Sequence, residues 1–143
     1  MPQARDIAIA VVERDGHYLI GRRAEGTVLS GFWEFPGGKV RAGEEWAAAA
    51  VRECQEETGL AVEVVGVLGE ARHEYAHGAV HLRFFACRAG SNDATPREPF
   101  LWAPRARLRE YRFPEANTAL LARLLDSTAG APESALGRTA RDE

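Results

Sequence analysis

Asp6 to Arg14 is rich in isoleucine, alanine and valine, and a second run of the same character covers His17 to Arg22. Asp15-Gly16 between them predicts a β-hairpin, because that dipeptide enters the left-handed turn conformations at little cost. Ala24 to Gly31 is polar and broken by glycine, and reads as a loop. The short aromatic stretch Phe32 to Phe35 ends at Pro36-Gly37-Gly38, which interrupts regular structure. From Glu44 to Thr58 the period changes: Ala47, Ala50, Val51, Cys54 and Thr58 gather on one flank at about 100° per residue. That pattern predicts a helix, with Gly59 as its stop. Ala61 to Ala71 and Ala79 to Arg88 alternate as further strands, and Phe100 to Ala103 is a short one. Pro114 to Leu125 predicts a second helix, with proline in its first turn and Ala116, Leu120, Leu121, Leu124 and Leu125 as its apolar stripe. Ser127 to Glu143 holds one leucine and no aromatic residue, and is expected to be a disordered tail. The result is one α/β (α+β) domain over residues 1–126, a sheet flanked by helices, with the tail 127–143 outside it. No internal repeat is visible.

The chain has 143 residues, enough for one core and too few for two domains of ordinary size. Its formal charge of −3, from 18 basic and 21 acidic residues, argues against a protein that coats duplex nucleic acid. The N-terminus carries no apolar signal core, and the longest wholly apolar runs, Ile7 to Val12 and Trp46 to Val51, are far too short to cross a bilayer. A cytoplasmic protein is expected, with Cys54 and Cys87 as buried free thiols and no membrane partner. Lys39 is the only lysine among the basic residues, the rest being arginine.

Chemistry concentrates in Gly38 to Leu60. Glu53, Glu56 and Glu57 stand three and four residues apart on the predicted helix, so their carboxylates share a face. Glu44 sits at the helix entrance, where the dipole favours a carboxylate, and Arg52 is placed to brace its neighbours. A solvated acidic face is the plain alternative, but such a face would intersperse lysines at i+4, and none is present. Like charges at this spacing destabilise a helix unless something offsets them. A hard divalent cation bound through oxygen does so. Mg²⁺ suits best, since it binds through a few carboxylates, keeps waters and shares phosphate oxygens. Gly37 and Gly38 precede the helix, and without Cβ atoms a backbone carbonyl there can approach an ion closely.

Gly38, five residues, Glu44, seven residues, and then Arg52-Glu53-Cys54-Gln55-Glu56-Glu57-Thr58-Gly59-Leu60 resembles the complete Nudix box. Cys54 takes a slot that usually holds a larger aliphatic residue. Arg22-Arg23, Trp33-Glu34-Phe35-Pro36-Gly37-Gly38-Lys39 and Phe113-Pro114-Glu115-Ala116-Asn117 extend the likeness, toward the MutT branch, from about Asp6 to Leu125. The resemblance implies the Nudix fold, a mixed sheet between helices. It also implies hydrolysis of a nucleoside triphosphate such as 8-oxo-dGTP to the monophosphate and pyrophosphate, in nucleotide-pool sanitation and DNA repair. Glu53, Glu56, Glu57 and the Gly37 carbonyl would hold Mg²⁺, with Mn²⁺ as a substitute. Arg52 would orient the glutamates, Glu44 would shape the site, and Glu53, Glu56 or a loop glutamate would take the proton from water. Glu98 is the acid available in the loop ahead of Trp102, as ligand, base or plain surface carboxylate. Arg23 and Lys39 would face phosphates beside Gly38, Phe35 (with Phe84 or Trp33 as alternatives) would form a stacking wall, and Asn117 would read a purine edge.

Three alternatives stay open: a pyrophosphohydrolase for CTP or dCTP, another housekeeping member of the branch, and a non-catalytic nucleotide-binding Nudix domain. The partner in each case is a small-molecule nucleotide, and the oligomeric state would be monomer or homodimer. His73, His77 and His81 recur every fourth residue, but they fall on a predicted hairpin, where that spacing does not converge on a metal. The arginines between Arg97 and Arg112, densest from Arg105 to Arg112, are expected on a solvated surface loop.

Overall fold

The computed structural model describes residues 5–27, 29–76, 78–90 and 95–126. The expected tail and His77 lie outside the described residues. Strand β1 (Arg5–Arg14) turns into β2 (His17–Arg22) through Asp15 and Gly16, whose φ angles of 52° and 77° are the left-handed pair that a tight hairpin needs. The expected turn is therefore present. β3 (Trp33–Glu34) and β7 (Phe100–Pro104) flank β2 antiparallel. β6 (Gly78–Ala89) runs parallel to β1 from Arg5↔Val80 to Glu13↔Arg88, and β5 (Val62–Tyr75) closes that edge antiparallel to β6. Among the described residues this makes one mixed sheet in the order β3-β2-β1-β6-β5, with β4 (Gly37–Lys39) added on β1.

The Pro36-Gly37-Gly38 break differs from its expectation. Instead of leaving the sheet, Gly37 to Lys39 pair with Ile7 to Ile9, and Ala10 donates its N–H to the Pro36 carbonyl at 2.8 Å. β1 thus meets β4 along its first half and β2 only at Glu13 and Arg14, so its edge is shared between two partners.

Side chains alternate across the sheet and build two apolar layers. Ala8, Ala10, Val12 and Leu19 face helix α1 (Trp46–Thr58), meeting Ala49, Ala50 and Cys54. Ile9, Val11, Ile20, Leu82 and Phe84 face the opposite way, toward Leu108 and helix α2 (Thr118–Leu125), which contributes Leu120 and Leu124. Each large aliphatic side chain buried this way contributes about 2 kcal/mol. Alanines on both surfaces let α1 lie close to β1, and the small Cys54 belongs to that tight contact. Cys54 and Cys87 are buried free thiols, as expected.

Two helix boundaries shift. α1 begins at Trp46 rather than Glu44, because the Glu44 carboxylate is engaged outside the helix, accepting the Arg41 N–H at 2.9 Å. The second predicted helix is divided. Glu115–Asn117 forms a 3₁₀ turn, and the α-helix starts only at Thr118. Arg105–Glu110, expected as loop, is a 3₁₀ segment anchored in the core by Leu108.

Candidate active site

Arg52 lies at the middle of α1 and organises the acidic face. Its Nε and Nη2 reach the two carboxylate oxygens of Glu44 at 2.8 and 3.0 Å, a bidentate pair. Its Nη1 donates to Glu53 at 3.1 Å and to Glu56 at 3.3 Å, and its Nη2 also to the Lys39 carbonyl at 3.0 Å. One guanidinium therefore ties the helix to β4 and to the loop before it. These Arg52 hydrogen bonds, helped by the Arg41 N–H, hold the Glu44 carboxyl down at about 2.

Glu57 points past Arg52 to the sheet, accepting the Gly37 N–H at 3.1 Å. Burial pushes its carboxyl up to about 7. The Gly37 hydrogen bond works against that shift, and the neighbouring charges of Glu34 and Glu53 add to it. Gly38 packs directly on the Glu53 carboxylate, where a Cβ would collide with the carboxyl carbon. Glu34 is raised by burial too, opposed by Arg23, whose Nη1 donates to it at 2.7 Å. Glu34, Glu53 and Glu57 thus crowd like charges around two glycines. Glu34 escaped the sequence reading as a site residue. Its place is set by tertiary pairing: it is the second residue of the two-residue strand β3, opposite Gly21, with Arg23 just beyond the pairing.

On the other side of Gly37 and Gly38 opens a cleft of about 460 Å³. Ile9, Val80 and Leu82 contribute apolar lining, Arg23, Glu34 and Lys39 charged groups, and Pro114, Ala116 and Asn117 the segment that leads into α2. The structure therefore brings together Arg23, Phe35, Gly37, Gly38, Lys39 and Asn117. Asn117 is buried at 7% exposure; its Nδ2 donates to the Pro114 carbonyl at 3.3 Å, and it makes no side-chain cap on α2. Phe35 lines the cleft but stacks on Phe113, with ring centroids 5.0 Å apart. Phe113 thus backs the wall that Phe35 was expected to form. Phe84 is a core residue, and Trp33 packs edge-on against Tyr111 at 4.6 Å, so neither of these alternatives lines the cleft. Arg5 and Tyr75 do line it, and neither carried a sequence signal.

Glu98 is exposed and does not line the cleft. Its neighbour Arg97 clasps the end of α1, donating from its backbone to the Thr58 carbonyl at 2.8 Å and from its side chain to the Glu56 carbonyl at 2.6 Å. His73 and His81 occupy opposite sheet faces, against Tyr75 and Trp46 respectively. Among the described residues, no three His, Cys, Asp or Glu side chains are already gathered as a metal cluster. The donor set nevertheless suits a hard cation. The carboxylates of Glu53, Glu56 and Glu57 are drawn to Arg52 and the Gly37 N–H, and the Glu53 carboxylate packs on a glycine that carries no Cβ.

A family model described as NUDIX domain matches residues 7–123. The chain belongs to the NUDIX family. This Nudix hydrolase resembles the CTP pyrophosphohydrolase of Escherichia coli (strain K12), 28% identical over 129 residues, which are 89% of this chain and 96% of that protein. It also resembles the 8-oxo-dGTP diphosphatase of the same organism, 29% identical over 121 residues, 82% of this chain and 94% of the relative. Among solved structures, the MutT NUDIX hydrolase from Burkholderia pseudomallei superposes with a TM-score of 0.69 at 29% identity, covering 85% of this chain and 98% of the other. The protein is a MutT-like Nudix hydrolase with the expected mixed α+β fold. No helix among its described residues is long and apolar enough to cross a membrane.

Proposed function

We propose that the protein hydrolyses a purine nucleoside triphosphate, with 8-oxo-dGTP as the leading candidate, to the monophosphate and pyrophosphate in the presence of Mg²⁺. The observation that carries this reading is one continuous arrangement: Gly37 and Gly38 touch the glutamates of α1 on one side and line the cleft that reaches Asn117 on the other.

Glu53, Glu56 and Glu57, with the Gly37 carbonyl, would hold Mg²⁺, and Mn²⁺ would substitute. The cation, when bound, neutralises phosphate charge and polarises the phosphorus under attack. Arg52 orients Glu53 and Glu56 through its Nη1, while Glu44 holds the guanidinium by both oxygens. Water attacks a phosphorus of the triphosphate and breaks its bond to the bridging oxygen, which leaves with the departing phosphate. Glu53 or Glu56 takes the water proton; Glu98, exposed beside the end of α1, is the weaker candidate. Arg23 and Lys39 would bind phosphate oxygens at the cleft mouth. At the other end, the Asn117 amide, with one N–H committed to Pro114, retains an acceptor and a donor for a purine edge. Phe35, supported by Phe113, would contribute apolar wall to the base.

A second reading, a pyrophosphohydrolase for CTP or dCTP, is favoured by the comparable likeness to the Escherichia coli CTP enzyme. The deciding measurement is pyrophosphate release with Mg²⁺ from 8-oxo-dGTP, dGTP, CTP and dCTP, compared as kcat/KM. The expected order puts 8-oxo-dGTP first, with release lost by at least about 10³-fold in Glu53→Gln. A higher kcat/KM for CTP or dCTP would transfer the assignment to the second reading. Absence of pyrophosphate from every nucleotide would overturn both.

A further inference from the structure

The segment that carries Asn117 closes only short 3₁₀ hydrogen bonds of its own, including the Asn117 N–H to the Pro114 carbonyl at 3.0 Å. Glu115–Asn117 is a three-residue 3₁₀ turn, a geometry with weaker hydrogen bonds than the α-helix. Neither Pro114 before the turn nor Asn117 before α2 supplies a side-chain cap. Support comes instead from the far end of β5. The Ala116 N–H donates to the Tyr75 hydroxyl oxygen at 2.8 Å, across 41 residues of chain. That N–H belongs to the first turn of a helical segment, where backbone donors lack partners within the helix. The His73 ring lies 4.5 Å from the Tyr75 ring, and its Nε2 is 3.4 Å from the Glu115 carboxylate, so β5 grips two consecutive residues of the turn. Tyr75 also lines the cleft, next to the residues it holds.

We propose that Tyr75 is a positioning residue for base recognition: by accepting the Ala116 N–H, its hydroxyl fixes the turn and, through it, the height and direction of the Asn117 amide. The assignment rests on the reading of Asn117 as the base-facing group. It adds a specificity determinant on β5, far in sequence from both the glutamate helix and α2. A hydrogen bond of this kind controls where the base sits. The glutamates lie beyond Gly37 and Gly38, and the chemistry there does not depend on it.

The test compares wild type, Tyr75→Phe, Asn117→Ala and the double variant on 8-oxo-dGTP, dGTP and dCTP with Mg²⁺. Tyr75→Phe keeps the ring and removes the acceptor. It is expected to raise KM for the purine nucleotides about fivefold, to leave kcat within about twofold, and to lower the purine-over-dCTP ratio of kcat/KM by about fivefold. Because Tyr75 acts through Asn117, the double variant should match Asn117→Ala alone. Equal losses on dGTP and dCTP, or additive effects in the double variant, would overturn the proposal. Selectivity lost in Asn117→Ala but kept in Tyr75→Phe overturns the positioning role and leaves the base reading intact; selectivity kept in both removes the two together. If Tyr75→Phe does not fold, hydrogen exchange of the Ala116 amide in the wild type decides. Protection well above that of the neighbouring exposed amides supports the contact, and free exchange rejects it.

Discussion

Adjacent glycines, Gly37 and Gly38, serve two different physical ends, and the difference can be measured. At Gly37 a Cβ would run into the Ala8 carbonyl and the Ile9 backbone, neither of which can move without separating β4 from β1. At Gly38 the obstacle is the tip of Glu53, a flexible side chain that can swing away. Gly37→Ala is therefore expected to destabilise the fold by about 2 kcal/mol or more, through backbone overlap and lost pairing. Gly38→Ala should change the melting temperature by only a few degrees, yet cut pyrophosphate release at least about tenfold, because it displaces the Glu53 carboxylate. Thermal melts and kcat on the same two variants check this. Equal melting losses in both, or full activity in Gly38→Ala, would contradict the division. The pair also shows what a motif conceals: Gly-Gly is visible in the chain as a breaker, but which glycine guards the fold and which guards a carboxylate depends on the face each presents.

At the scale of elements, α1 is held at its entrance by Glu44 rather than by a conventional cap. Glu45 precedes the helix without a side-chain hydrogen bond, while Glu44 grips Arg52 and Arg41 from outside it. The Glu44 carboxyl is held at about 2, below its ordinary value of 4.5. A carboxyl lowered on folding stabilises the native state fully above its unfolded pKa, and that stabilisation disappears as pH falls through the folded value. Between pH 5 and 2, scaled to those two values, wild type should lose melting temperature more steeply than Glu44→Gln, and the two curves should converge near pH 2. Parallel curves would show that Glu44 carries no such linkage. The strand pair β1–β2, the glutamate helix and its stop at Gly59 were readable from period and turn chemistry, since each is decided by residues close in sequence. Other features were hidden. β5 continues beyond Ala71 to Tyr75 because β6 pairs with it as far as Gly78, a matter of partner length rather than of local propensity. The 3₁₀ turn at Glu115–Asn117, tied to β5 through the Ala116 N–H and the Tyr75 hydroxyl, is a tertiary feature that no helical period reports. Glu34 looked like one polar residue in an aromatic stretch, and only pairing with β2 brings it to Arg23 and Glu57.

On the scale of the whole molecule, the sheet divides the work. One face seats the helix that carries Glu53, Glu56 and Glu57; the cleft opens toward the segment that carries Asn117, and Gly37 and Gly38 join the two. Crowded carboxylates at that junction are a standing destabilisation in the metal-free protein, since Glu34 and Glu53 both act against ionisation of Glu57. A cation bound at this junction would remove the conflict and, binding the folded arrangement alone, would stabilise it by mass action in proportion to RT ln(1 + [L]/Kd). Adding Mg²⁺ at about 100 times its Kd should stabilise the fold by about 2.7 kcal/mol, which is several degrees of melting temperature for a domain of this size. Glu57→Gln relieves the like-charge crowding without any metal. It should therefore match or exceed wild type in melting temperature in the presence of a chelator and gain little from Mg²⁺. Lys39→Ala, which leaves the carboxylates intact, should retain the full metal-dependent shift. If Glu57→Gln gained as much from Mg²⁺ as wild type does, Glu57 would not belong to the cation site, and the junction would owe its acidity to something other than metal binding.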